Sequence, residues 1–103
     1  MIQKFKRARK DYPDGVLGIY DNGGKTADRY TVVYAPYEQG APFHSLVFPL
    51  VDMSASPYWP QGACMHSETV GYRVTGGWGT GQKVISFNEL PTDCQRVVRE
   101  DLA

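Results

Sequence analysis

Apolar and polar residues alternate in short stretches over most of this chain, and a longer helical period appears only at its end. Five runs rich in β-branched and aromatic residues, bounded by Gly, Pro, Asn and Asp, predict strands. These runs cover residues 16–20, 29–34, 46–53, 69–74 and 83–87. The order of elements predicts one α+β domain over residues 1–103, an antiparallel sheet of four to five strands with one C-terminal helix packed on a face.

The C-terminal segment carries one apolar face at helical spacing. Its members recur at i, i+4, i+7, i+8 and i+12: Leu90, Cys94, Val97, Val98 and Leu102. Pro91 suits the first turn of a helix, and Asp93 complements the positive end of the helix dipole. We therefore expect Val97 and Leu102 to be buried against the sheet, with Arg96 and Arg99 in solvent.

Two stretches weaken the strand pattern. Pro49 lacks a backbone N–H, so it predicts that the strand over residues 46–53 lies at an edge or carries a bulge. Residues 54–66 show no usable period, and Pro57, Pro60 and Gly62 interrupt them, so an irregular segment is expected there.

Charge and composition exclude some classes of function. The 103 residues contain 11 basic and 11 acidic side chains and 42% apolar residues, so a real core is possible. Zero net charge argues against a general nucleic-acid or membrane binder. The longest apolar runs fall short of the ~20 residues of a membrane span, and no secretory signal pattern is present. We expect a cytoplasmic protein.

One local charge imbalance remains, in a basic segment over residues 1–12. Its cations are Lys4, Lys6, Arg7, Arg9 and Lys10. A solvated, mobile terminus explains them, and a phosphate- or acid-contacting arm is the alternative. Contact with nucleic acid is expected only through these residues.

The two cysteines occupy different contexts. Cys94 falls on the apolar helical face and predicts a buried thiol, whereas Cys64 lies in the irregular segment beside His66. A disulfide between them is disfavoured in the cytosol. A Cys-x-His pair without a second pair of ligands is a weak zinc signal, so neither a metal nor a cofactor is predicted.

The connection between the first two strands is unusually polar. Asn22-Gly23 is a strong turn signal, and six polar residues fall within nine positions: Asp21, Asn22, Lys25, Thr26, Asp28 and Arg29. In one interpretation they stabilise the turn, with Asp28 paired to Arg29 or Lys25. In the other, glycine amides and the two cations bind an anionic ligand.

The turn does not fit a nucleoside-triphosphatase. Its Gly-Gly-Lys-Thr lacks the earlier glycine and the following helix of a phosphate loop.

Because adjacent strand residues point to opposite faces, we expect Arg29 to be partly buried among acceptors from the Asp21 loop and Asp28 to be exposed.

Three aromatic residues in loops suggest protein binding. Tyr58 and Trp59 lie in the irregular segment, and Trp78 lies among four glycines. Aromatic side chains on mobile loops are favoured at protein interfaces, although these could also fold back over the sheet.

Catalytic candidates are sparse. His44 and His66 are the histidines, and Cys64 with His66 could form a nucleophile and its base. Catalytic partners usually come from separate parts of a chain, and the carboxylates Asp28, Asp52 and Glu68 form no evident pair. The absence of a complete constellation favours a binding protein over an enzyme.

Three stretches carry a resemblance to a known family. They are residues 20–33 (Y-D-N-G-G-K-T-A-D-R-Y-T-V-V), residues 53–66 with Pro57, Pro60 and His66, and residues 83–98. On these the chain resembles a family of small bacteriophage and mobile-element proteins. The resemblance implies an accessory role exerted by binding a host protein, such as inhibition of a bacterial defence system. The alternative hypothesis is a small-molecule or nucleotide pocket formed by the Asp21–Arg29 loop together with His66.

Overall fold

Five antiparallel strands and one helix account for most of the residues that the computed structural model describes, which are residues 11–24, 27–36, 45–71 and 82–103. The elements are β1 (Val16–Asp21), β2 (Tyr30–Tyr34), β3 (Val47–Met53), β4 (Cys64–Val70), β5 (Lys83–Val84), a short 3-10 helix (Phe87–Glu89) and α1 (Thr92–Leu102). The sheet order is β4-β3-β2-β1-β5. The α+β prediction, with its sheet and C-terminal helix, is confirmed.

The strands alternate their side chains between two buried faces. On the face that α1 covers, Val32 and Val51 pack with Val98 of the helix, and none of the three is exposed to solvent. Val33 and Phe48 belong to a separate cluster on the opposite face and are equally buried. This burial on both faces explains why the central strands read as nearly continuous apolar runs.

The helix presents its predicted face, with one exception. Cys94, Val97 and Val98 are buried, and Arg96 and Arg99 are exposed, as the spacing predicts. Leu102 is 38% exposed, so the prediction of its burial is wrong. It lies in the last turn, where it lines a cavity together with Gly15 and the sheet residues Leu50 and His66.

The prediction that the Pro49 strand lies at an edge or carries a bulge is also wrong, because β3 lies between β2 and β4 and pairs with both without a shift in register. Pairing with β2 stops at Leu50, whereas pairing with β4 continues past Pro49 to Val47. The missing N–H therefore interrupts neither ladder. The proline is accommodated inside the sheet because the β2 ladder has already ended beside it.

The remaining strand boundaries differ from the pattern. Strand β4 begins at Cys64, inside the stretch expected to be irregular and well before residue 69, and residues 72–74 lie outside the described part. Its side chains are mostly exposed on both faces, so no apolar alternation marked it. Strand β5 ends at Val84, because the Ser86 hydroxyl accepts a hydrogen bond from the Glu89 amide and caps the 3-10 helix.

The folded core reaches further toward the N-terminus than expected. Tyr12 is 2% exposed, and its hydroxyl donates a 2.8 Å hydrogen bond to the Ile85 carbonyl. Tyr12 therefore belongs to the folded core, and the solvated terminus expected over residues 1–12 does not extend to it. The basic cluster itself lies outside the described residues.

Within the described ranges, no helix is long and apolar enough to span a membrane.

Candidate functional site

The Asp21–Arg29 turn is closed by a two-pronged ion pair. Arg29 donates from Nε to Asp21 Oδ1 at 2.7 Å and from Nη2 to Asp21 Oδ2 at 3.2 Å, and its Nη1 reaches the Gly24 carbonyl at 3.1 Å. Asp21 Oδ1 also accepts the Gly23 amide at 2.9 Å, which is an Asx turn. Gly23 and Gly24 adopt φ values of 79° and 75°, which their lack of a Cβ permits.

The ion pair favours the ionised form of Asp21. The hydrogen bond from Arg29 is the main influence that holds the pKa of Asp21 below its usual value, and burial opposes it more weakly. The same bond raises the pKa of Arg29. Arg29 is partly buried and Asp28 exposed, as expected. However, the carboxylate paired with Arg29 is Asp21 and not Asp28. Lys25, the other partner predicted for Asp28, lies outside the described residues.

A polar chain ties this turn to the sheet. Asn22 donates from Nδ2 to the Asp28 carbonyl and to Thr31 Oγ1, both at 2.8 Å. Thr31 in turn donates to Asp52 Oδ1 at 2.6 Å. Gln82, 60 residues away in sequence, donates to Asn22 Oδ1 at 2.8 Å. These bonds favour the structural interpretation of the turn, and Lys25 and Thr26 lie outside the described residues.

The β3–β4 loop presents the second group of candidates, Tyr58 and Trp59. Backbone bonds close it, from Ser54 N to the Ala63 carbonyl at 3.0 Å and from Gly62 N to the Trp59 carbonyl at 2.9 Å. The Ala63 amide also donates to Ser54 Oγ at 3.0 Å. The loop expected to be mobile is therefore pinned to the sheet at both ends.

Tyr58 and Trp59 project from this loop. Trp59 is 65% and Tyr58 44% exposed. The Tyr58 hydroxyl donates to Glu100 Oε1 at 2.6 Å, and the Arg96 guanidinium lies 4.8 Å from the centre of the Tyr58 ring. The bond to Glu100 is the main influence that raises the pKa of Tyr58 to about 12. We call Tyr58, Trp59 and Arg96 the aromatic platform.

A cleft of about 260 Å³ opens beside the platform. It is lined by Arg29, Ser54, Ala55, Ser56, Trp59, Gln61 and Gly62. The cleft joins two groups that the sequence kept apart, since Arg29 comes from the turn before β2 and Trp59 from the loop after β3. Trp78, the third aromatic candidate, lies outside the described residues.

His66 lies at a separate site, where β4 meets the C-terminal end of α1. Its Nε2 lies 3.0 Å from both carboxylate oxygens of Asp101 in α1, and Tyr34 donates its hydroxyl to Asp101 Oδ2 at 2.6 Å. Burial, followed by the bond to Asp101, raises the pKa of Tyr34 far above its usual value. The three side chains line a cavity of about 320 Å³ together with Leu50 and Leu102, among others.

The structure does not bring His66 to the Asp21–Arg29 turn. His66 pairs with Val51 across β3 and β4, and Val51 pairs with Val32 across β2 and β3. Arg29 lies three residues before Val32, so two strand spacings across the sheet and three residues along it separate the Cα atoms of His66 and Arg29. Their distance is on the order of 14 Å. Arg29 and His66 line two separate pockets, and Asp21 already neutralises Arg29, so the described residues give no support to the alternative of a joint pocket.

Cys64 and His66, the nucleophile and base considered from the sequence, are not hydrogen-bonded to each other in the structure. His66 Nε2 instead faces Asp101. Burial, followed by the charges of Asp101 and Glu100, raises the pKa of the Cys64 thiol, which opposes thiolate formation. Cys94 is buried as predicted, its pKa is raised to about 12 chiefly by burial, and both thiols are free.

Metal binding finds no support in the described ranges, where no three His, Cys, Asp or Glu side chains group to hold an ion. His44 is not among the described residues. The sequence analysis did not name Asp101, Glu100 or Arg96 as candidate site residues, because only the docking of α1 brings them to β4 and to the loop before it.

Comparison of the chain with protein-family models, with curated proteins and with solved structures finds no match.

Proposed function

We propose that this protein acts by binding another protein, and that the aromatic platform with its cleft is the contact surface. The observation that carries the proposal is the exposure of Trp59 on a loop held by hydrogen bonds. An exposed indole costs solubility, and Trp, Tyr and Arg together are the residue types most enriched at binding hot spots. The platform contains one of each.

The loop beneath Trp59 is built to hold one shape. A Cβ at Gly62 would lie 1.9 Å from the Ser56 carbonyl oxygen, so only glycine fits where the loop folds onto itself. Cys94 donates its thiol to the Ser54 carbonyl at 3.3 Å and links the loop to the buried face of α1. Because the loop is already ordered, binding would lose little conformational entropy.

Tyr58 is also oriented before any partner arrives. Its ring lies under the Arg96 guanidinium, and Arg96 also pairs with Glu100 at 3.4 Å. These exposed contacts contribute little to folding stability. Their effect is to hold the guanidinium over the face of the Tyr58 ring, on the same loop that carries the exposed Trp59.

The resemblance to bacteriophage and mobile-element proteins supports a host protein as the partner, met in the bacterial cytoplasm. Inhibition of a bacterial defence system is the role we propose for that binding. A small-molecule or nucleotide ligand has weaker support, because the cation of the cleft is neutralised by Asp21.

The test compares two truncations of exposed apolar side chains. Trp59→Ala removes the centre of the platform, and Val84→Ala removes a side chain that is 54% exposed at the opposite edge of the sheet. Proteins captured from a bacterial lysate are identified by mass spectrometry, and the purified partner is then titrated against both variants. Loss of about 2 kcal/mol of binding free energy, roughly 30-fold in Kd, is expected for Trp59→Ala alone.

Equal affinity of Trp59→Ala and the unmodified protein would refute the platform as the contact surface. Thermal melts of both variants accompany the titration. The melts separate a binding defect from a folding defect. Because both side chains are largely exposed and lie outside the core, we expect neither variant to lose stability.

A further inference from the structure

Strand β4 is the last strand at one edge of the sheet, and no other described strand pairs with it there. We propose that two copies of this chain pair through this edge, antiparallel, into one continuous sheet. The five strands of each copy would then make a sheet of ten. The inference is independent of the proposed function, since it concerns the edge of β4 and not the aromatic platform.

The hydrogen-bonding phase of β4 identifies the backbone groups on its free side. At its two ends, Gly71 N bonds to the Leu46 carbonyl and Ser54 N to the Ala63 carbonyl, both at 3.0 Å. Antiparallel pairs alternate between bonded and non-bonded. Phe48 with Thr69, Leu50 with Ser67 and Asp52 with Met65 are therefore the bonded pairs. The other residues of β4 direct their N–H and C=O groups outward: Cys64, His66, Glu68 and Val70.

This edge lacks the protections that isolated edges carry. Natural edge strands are kept short, bulged, or interrupted by Pro or Lys. The opposite edge, β5, has two residues, whereas β4 has seven, with neither proline nor lysine and no shift in its register. Val70 is 65% and Met65 49% exposed. Among the described residues, none bonds to the outward backbone groups of β4.

One register makes the edge complementary to itself. When the two-fold axis passes beside Ser67, Glu68 lies opposite His66 of the second copy, and Val70 lies opposite Cys64 of the second copy. Every outward residue then forms a bonded pair, and four pairs with two bonds each give about eight hydrogen bonds. The opposed imidazole and carboxylate form two favourable cross-strand pairs on the face that α1 covers.

The neighbouring registers are poorer. A shift of two residues in one direction places Glu68 opposite Glu68 of the second copy, where like charges repel. A shift in the other direction places His66 opposite itself. Each shift leaves one outward residue of each copy without a bonded pair, so the charge pattern and the bond count select the same register.

Size-exclusion chromatography with light scattering tests the dimer on the full chain. The expected mass is twice the 11.5 kDa of one chain. Glu68→Pro is the matched variant, because the N–H that it removes points outward and bonds to nothing in β3. We expect it to keep the circular dichroism spectrum of the unmodified protein and to elute as a monomer.

A monomeric mass for the unmodified protein throughout a concentration series would overturn the proposal, and the edge would then be left for an extended segment of another protein. A Glu68→Pro variant that remains as dimeric as its parent would overturn it equally.

The register has its own test in a Cys64→Ser background. Ser67→Cys places two thiols across the axis at a Cα separation of about 4.5 Å, within the range of a disulfide. Met65→Cys is the control, because its two copies would lie four residues apart along the ladder, about 13 Å. We expect oxidation to cross-link the first variant and not the second. Equal cross-linking of both, or of neither, would refute this register.

Discussion

The ion pair between Arg29 and Asp21 sets the clearest test of whether the turn is scaffold or binding site. Arg29→Ala removes three hydrogen bonds, to Asp21 Oδ1, Asp21 Oδ2 and the Gly24 carbonyl. It also removes a guanidinium that lies 5.0 Å from the centre of the Tyr30 ring. The two charged side chains are 31% and 21% exposed, so solvent screens part of the attraction.

The magnitude follows from these contacts. A partly exposed pair with good two-pronged geometry contributes about 1 kcal/mol, and the carbonyl bond and ring contact add about 0.5 kcal/mol. We therefore expect Arg29→Ala to lower the free energy of unfolding by about 1.5 kcal/mol. For a domain of this size, that corresponds to a fall in Tm of about 6–12 °C.

The pH dependence gives the sign of the effect. The pKa of Asp21 is lower in the folded protein than in the unfolded chain. Its contribution is therefore present above the unfolded value of about 3.9 and is lost as the pH falls through the folded value. Urea denaturation of the parent and of Arg29→Ala should show a clear difference at pH 7 that shrinks on acidification toward pH 2.

The control is Asp21→Asn, alone and combined with Arg29→Ala. If the two residues act through their ion pair, the double variant should lose less stability than the sum of the single losses. Normal stability of Arg29→Ala together with loss of partner or ligand binding would refute the structural interpretation. The turn would then be a binding site.

Two further predictions concern the core and the loop. Val97→Asp should cost about 3–5 kcal/mol, because it places an unpaired carboxylate where the side chain is 4% exposed, whereas Val84→Asp at a 54% exposed position should cost far less. Chemical denaturation measures both, and equal costs would show that α1 is not docked through Val97. Gly62→Ala should lower the free energy of unfolding by about 1–3 kcal/mol, since its Cβ would lie 1.9 Å from the Ser56 carbonyl oxygen. The substitution should also alter the fluorescence of Trp59 in the same loop. An unchanged fluorescence spectrum and an unchanged Tm would contradict this close approach.

Local chemistry was readable from the sequence. Asn22-Gly23 predicted the turn, and the predicted fork of Arg29 does satisfy several acceptors of the Asp21 loop. The helical spacing predicted the buried positions Cys94 and Val97. In each case the information lies within one turn or one helical face, where backbone geometry alone decides which residues become neighbours.

Only part of the candidate site could be predicted from the sequence. Tyr58 and Trp59 were recognised as loop aromatics, but the cleft beside them needs Arg29, which is distant in sequence. The alternative hypothesis of a small-molecule pocket placed His66 at the turn, whereas its partner is Asp101 at the end of α1. No pattern within either segment encodes such pairs, because they form only when the helix docks on the sheet.

Non-local pairing also decided the place and length of the strands. The composition of the chain and its short-range patterns determined the fold class, the helix and the first turn. Only the tertiary structure put Pro49 inside the sheet, extended β4 back to Cys64 and left Leu102 exposed. The physical reason is that a strand is held by hydrogen bonds to its neighbours, so an exposed edge strand such as β4 needs no apolar alternation of its own.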